Sequence, residues 1–217
     1  MISLCIFDLD GTLLDTLKAL TYTTNLVMEH FGLGPVDEEH MRRFVGDGYK
    51  MQLKRALRFC GDEKLEHLEE SFPVYTGLFA RYCLYQVKPY EGIPELLTGL
   101  KERNIRIAVL SNKPHERTLE NIETVFGKGY FDYIAGEQPG MPKKPDPAGV
   151  LKILDTLKVK PSECLYFGDT NTDMRTGLGA GLTTVGVTWG FRDRKELEAF
   201  HPSFIIDHPR QVLEQIL

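Results

Sequence analysis

Twice in this chain an apolar run stops abruptly at acidic residues. Ile2–Phe7 ends at Asp8-Leu9-Asp10-Gly11-Thr12, and Leu165–Phe167 ends at Gly168-Asp169, with Asp173 four residues further on. A short apolar run bounded by turn signals reads as a strand buried on both faces. Strands of that kind build parallel sheets, and α/β sheets bind ligands at the carboxyl ends of their strands. Both sets of acids are therefore expected on one functional rim. Acids gathered there repel one another, and a divalent cation is the usual counterweight. An Asp-x-Asp-Gly run also opens calcium loops, which need an oxygen ligand at the fifth position, Gly at the sixth and Glu at the twelfth. Those positions hold Thr12, Leu13 and Ala19, so the calcium loop is excluded.

What lies between the two runs sets the fold class. Leu17, Leu20, Thr24, Val27, Met28 and Phe31 recur at helical spacing and stop at Gly32. Asp37 reads as the N-cap of a helix to Phe44, and Gly46-Asp47-Gly48 as a break before a helix ending near Phe59. A helical stretch over 63–86 follows, expected to be interrupted at Pro73. Beyond Pro89 the pattern changes to alternation, with strands expected at 105–110, 132–135, 164–167, 183–187 and 204–206. Helices are expected at 94–103, 114–126, 147–158, 171–180 and 193–200, and a last helix closes the chain. Alternating βα units imply a Rossmann-like parallel sheet flanked by helices. The helical block reads as a cap inserted after the first strand. The expected division is a core of 1–15 and 89–217 and an all-helical cap of 16–88.

Bulk properties exclude several classes. With 42% hydrophobic and 26% charged residues among 217, the composition is that of a soluble globular chain. A net charge of −5 gives no nucleic-acid footprint. No apolar run approaches the ~20 residues of a membrane span, and no signal peptide is visible. Cys5, Cys60, Cys83 and Cys164 form no Cys-x-x-Cys pair, which suits buried thiols in a reducing cytoplasm. The six histidines lack ligand spacing, which argues against zinc.

Two further segments carry candidate chemistry. Leu110-Ser111-Asn112-Lys113-Pro114 puts a hydroxyl and an amide at a strand end before a helix. Ser111 and nearby backbone N–H groups are suited either to an anion or simply to capping the helix. A serine-hydrolase reading fails for want of a Gly-x-Ser-x-Gly elbow. Lys143-Lys144-Pro145-Asp146-Pro147 is a proline-stiffened loop able to fix an ammonium against phosphate oxygens, or else a plain exposed basic loop. Gly177-Leu178-Gly179-Ala180-Gly181 comes late in a helix, which rules out a dinucleotide loop.

Taken together, Asp8-x-Asp10-Gly11-Thr12, Ser111, Lys144 in Lys-Pro-x-Pro and Gly168-Asp169-x-x-x-Asp173 resemble the haloacid dehalogenase-like superfamily of phosphatases, motif by motif and in order. The helical insertion is similar to the cap of the subgroup containing phosphoglycolate phosphatase and β-phosphoglucomutase. Phe44-Val45-Gly46-Asp47-Gly48 and Gly186-Val187-Thr188-Trp189-Gly190 look most like the phosphoglycolate phosphatase branch.

This resemblance implies a small-molecule phosphate ester as substrate and Mg2+ as cofactor. It makes Asp8 the nucleophile and Asp10 the acid and base. Asp8, Asp169 and the Asp10 carbonyl become the metal ligands, with Lys144 neutralising charge. Thr12, Ser111, Asn112 and Lys144 would cradle phosphate, Asp173 would support from behind, and Gly46, Gly48 and Lys50 of the cap would select the leaving group. Asp10 speaks against dehalogenation, whereas Lys50 and Lys54 leave an imine-forming phosphonatase open. A phosphomutase, a pyrophosphatase or nucleotidase, and a non-catalytic phosphate-binding module are the alternatives.

Overall fold

The computed structural model describes all 217 residues. The chain divides into two compact units, one of Met1–Leu14 with Pro89–Leu217 and one of Asp15–Lys88.

The first unit is a six-stranded parallel sheet. Its strands are β1 (Leu4–Phe7), β4 (Arg106–Pro114), β5 (Tyr133–Glu137), β6 (Cys164–Gly168), β7 (Thr183–Val187) and β8 (Phe204–Ile206). The chain crosses between units at two short strands, β2 (Leu14–Asp15) and β3 (Lys88–Pro89). Strand order is β5-β4-β1-β6-β7-β8, so the sequence order reverses across β1. That reversal is the switch point where an open parallel sheet leaves a crevice at its carboxyl edge. Register places Phe7 level with both Val109 and Phe167, which brings the ends of β4, β1 and β6 together. Every residue of β1 is buried, as expected of a strand covered on both faces. On one face Leu4, Ile6, Ala108 and Tyr166 pack with Val150, Ile153 and Leu154 of α7 (Ala148–Leu157).

The second unit holds α1 (Leu17–His30), α2 (Glu38–Phe44), α3 (Tyr49–Phe59) and α4 (Leu68–Tyr82). The remaining helices of the first unit are α5 (Ile93–Glu102), α6 (His115–Phe126), α8 (Asn171–Gly179) and α9 (Arg194–Glu198).

Three expectations are corrected. The helix expected from residue 63 begins at Leu68 and runs unbroken through Pro73. A proline inside a helix costs about 3 kcal/mol, and burial of Ser71, Tyr75 and Phe79 along one face offsets it. The strand expected at 105–110 continues to Pro114 through an irregularity that re-pairs Pro114 with Glu137. Helix α6 therefore starts at His115, and Ser111 lies inside the strand rather than at a helix N-terminus. The closing segment, Val212–Ile216, is one π-type turn and not a full helix.

Candidate active site

The site is built at the carboxyl ends of β1, β4 and β6, all within the first unit. Asp8 follows β1 directly, and its backbone N–H still donates to the Phe167 carbonyl at 2.9 Å. Asp169 follows β6, and Asp173 occupies the first turn of α8. A carboxylate oxygen from each of Asp8, Asp169 and Asp173 lies within 4.8 Å of the other two, and all three residues are buried.

Lys144 answers part of that charge. Its Nζ lies 2.7 Å from Asp8 Oδ1 and 2.7 Å from Asp173 Oδ1. Burial opposes the ammonium, but Asp173 and Asp8 outweigh it and hold Lys144 protonated, well above its ordinary range. One cation does not balance three buried acids. Burial, then the Asp173 charge, push Asp8 well above the ordinary carboxylate range, against the pull of Lys144. Burial and Asp173 also raise Asp169 to about 7. The deficit of positive charge and the hard oxygen donors suit a divalent cation such as magnesium.

Asp169 is held from several directions. Thr12 Oγ1 donates to its Oδ1 at 3.0 Å, and the Phe191 backbone N–H donates to its Oδ2 at 2.8 Å. Trp189 Nε1 in turn donates to the Thr12 carbonyl at 3.0 Å. Gly11, at φ +86°, and Gly190 both press against this carboxylate, and a Cβ at either position would collide with it. Asp173 is equally committed. It accepts from Tyr166 Oη at 3.2 Å, from Thr170 N at 3.1 Å and from Thr170 Oγ1 at 2.6 Å.

Several expected phosphate contacts have other partners. The Thr12 hydroxyl is engaged with Asp169. Asn112 clamps the backbone of Lys144, its Nδ2 donating to the Lys144 carbonyl at 3.0 Å and its Oδ1 accepting from the Lys144 N–H at 2.9 Å. Its amide therefore positions Lys144. Ser111 Oγ accepts from the Lys113 N–H at 3.2 Å. Lys143 pairs with Glu137 of β5 at 2.7 Å, which fixes the same loop from the other side.

The Asp10 carboxylate stands apart from the three clustered acids. Its partner is Lys113, with Nζ 2.5 Å from Oδ1, and the lysine side chain is only 2% exposed. Lys113 lies in the Ser-Asn-Lys-Pro run, but nothing local assigns its side chain to an acid 103 residues away.

The helical unit supplies the remaining candidates. Gly46 and Gly48 take φ of +112° and +85° at the break before α3. Arg55 ties that break together, reaching Asp47 Oδ2 at 2.5 Å and the Phe44 carbonyl at 2.7 Å. Lys50 Nζ lies 5.1 Å from the centre of the Phe72 ring.

With this geometry in view, residues 5–187 match the profile of the haloacid dehalogenase-like hydrolases. The chain belongs to that family. It is similar to the phosphoglycolate phosphatase of Aquifex aeolicus, with 31% identity covering 96% of this chain and 94% of that protein. It is also 31% identical to the N-acetylmuramic acid 6-phosphate phosphatase of Pseudomonas aeruginosa, covering 96% of this chain and 92% of that one. A crystal structure from Lactobacillus delbrueckii subsp. bulgaricus superposes with a TM-score of 0.89 at 28% identity, covering 99% of this chain and 98% of that one. No helix is long and apolar enough to cross a membrane.

Proposed function

We propose that this hydrolase is a magnesium-dependent phosphatase acting on a small, carboxylate-bearing phosphate monoester, with 2-phosphoglycolate the leading candidate. The observation that carries the reading is Asp8 itself. It sits at the switch point of the sheet with Oδ1 engaged by Lys144. A carboxylate so placed can act as a nucleophile.

Asp8 attacks phosphorus in line, forming an Asp8 O–P bond as the ester P–O bond breaks. Asp10 gives its proton to the departing alcohol and then takes one from the water that cleaves the aspartyl-phosphate, releasing phosphate and regenerating Asp8. Lys144 offsets charge on the phosphoryl oxygens, and Asp173 and Asn112 keep it in place. Magnesium, held by Asp8, Asp169 and the Asp10 carbonyl, supplies further neutralisation of phosphoryl charge when bound.

The choice of substrate rests on the relatives. Two proteins of equal identity to this chain are named for substrates that are both carboxylic acids. Gly46, Gly48 and Lys50 of the helical unit are the residues we assign to leaving-group selection, with Arg55 bracing their loop. The test is kcat/KM with magnesium for phosphoglycolate, N-acetylmuramic acid 6-phosphate, pyrophosphate, nucleoside monophosphates and β-glucose 1-phosphate. Preference for N-acetylmuramic acid 6-phosphate would keep the substrate class and change its member. Preference for pyrophosphate or nucleotides would overturn the class. Conversion of the sugar phosphate without phosphate release would make the protein a mutase.

A further inference from the structure

Four acids converge at the ends of β1 and β6, yet only three of them cluster. Asp8, Asp169 and Asp173 hold carboxylate oxygens within 4.8 Å of one another, and the Asp10 carboxylate is outside that group. Asp10 is only two residues from Asp8 along the chain. A short acid side chain beside a site that lacks positive charge would be drawn to any cation bound there. What holds it elsewhere is Lys113 at 2.5 Å.

Lys113 is set up to do this. It lies where β4 runs on past Leu110, and its backbone is fixed on both sides. Its N–H donates to Ser111 Oγ at 3.2 Å, and its carbonyl accepts from Thr118 Oγ1 of α6 at 3.2 Å. Its side chain is buried. The site thus contains two lysines, each arriving from a different element. Lys144 meets Asp8 and Asp173, and Lys113 meets Asp10.

We propose that Lys113 is a positioning residue that sorts the four acids by task, withholding the Asp10 carboxylate from the cation-holding group and reserving it for proton transfer. The proton-transfer half rests on the phosphatase reading. The sorting half concerns only which carboxylates a cation meets.

The experiment measures Mg2+ binding to chelator-stripped protein by calorimetry, alongside kcat and KM, for Lys113→Met and Lys113→Arg, each in the native and the Asp10→Asn background. In Lys113→Met the freed Asp10 joins the cation, so Mg2+ binds roughly tenfold tighter while kcat falls roughly 10–100-fold with KM little changed. Lys113→Arg keeps the charge and restores both values towards those of the parent. In the Asp10→Asn background, Lys113→Met gives little further tightening. Lys113→Gln repeats the binding arm with a polar end group that burial tolerates better.

Equal tightening in both backgrounds would overturn the proposal, because Lys113 would then act only as a nearby charge. A raised KM with kcat intact would also overturn it, making Lys113 a substrate ligand. Full activity in Asp10→Asn alone would instead sink the role given to Asp10, and the binding arm would still judge the sorting.

Discussion

The two units of this chain treat buried polar groups in opposite ways. In the helical unit the buried polar side chains are neutral, Thr21, Thr23, Thr24, Gln52 and Ser71 among them, with one exception. That exception, Asp62, serves the backbone, accepting from the N–H groups of Glu66 at 2.8 Å and His67 at 3.0 Å. The α/β unit buries Asp8, Asp169, Asp173, Lys113 and Lys144, all at one sheet edge. A buried charge is costly unless it is paired, so a protein selected for stability alone has little reason to collect five of them. The helical unit keeps charge out of its interior apart from Asp62, and the α/β unit gathers it at one edge.

The comparison can be broken first at Asp8. Asp8→Asn should lower phosphate release by at least roughly 10²–10³ in kcat. Its melting temperature should hold or rise, because the change removes a carboxylate whose charge burial already disfavours. Near-native turnover would mean that the buried acids are not the catalytic machinery. Chelation should take phosphate release to background, and added magnesium should restore it. Retention of activity after exhaustive chelation would separate the acid cluster from any cation.

Next comes Lys144. In chelated protein, Lys144→Met strands Asp8 and Asp173 without a cation and should cost about 3–5 kcal/mol in urea unfolding. A small loss would show that this buried network behaves like a surface one.

Asp169 gives a pH signature. Its folded value is raised from 3.8 to about 7, so the folded state favours the protonated form. The stability tied to that proton is complete below the unfolded value and is lost as pH rises through about 7. Metal-free wild type should therefore lose ground against Asp169→Asn between those pH values, as read by paired unfolding curves. A gap that stays constant with pH would contradict the raised value. The smallest effect belongs to the exposed pair Lys158–Asp155, 2.9 Å apart, where Lys158→Ala should cost about 0–1 kcal/mol.

The parts of the site that could be read from the sequence are those set by local pattern. An apolar run ending in an acid places Asp8 and Asp169 at strand ends because burial on both faces demands unbroken apolar residues. Lys144 stands out for a different local reason, the prolines that stiffen its loop. Pro73 predicts a break that the helix does not show, because local propensity counts one lost hydrogen bond and cannot see the face that Ser71, Tyr75 and Phe79 bury. The sequence pattern ends β4 at 110 because Ser111, Asn112 and Lys113 are polar, whereas the strand pairs with β5 again at Pro114, beyond an irregularity those three residues span.

From the chain alone, then, came the fold class and the acids that follow the apolar runs of β1 and β6. Each depends on periodicity, which neighbours along the chain determine. Tertiary structure alone decided the pairings, with Lys113 on Asp10, Asn112 on Lys144, and Thr12 and Phe191 on Asp169. Lys113 meets Asp10 and Thr12 meets Asp169 through the order β4-β1-β6, which brings residues 103 and 157 positions apart to one edge. Which acid each cation neutralises is set by distance and burial in that assembled edge, and no local pattern encodes either.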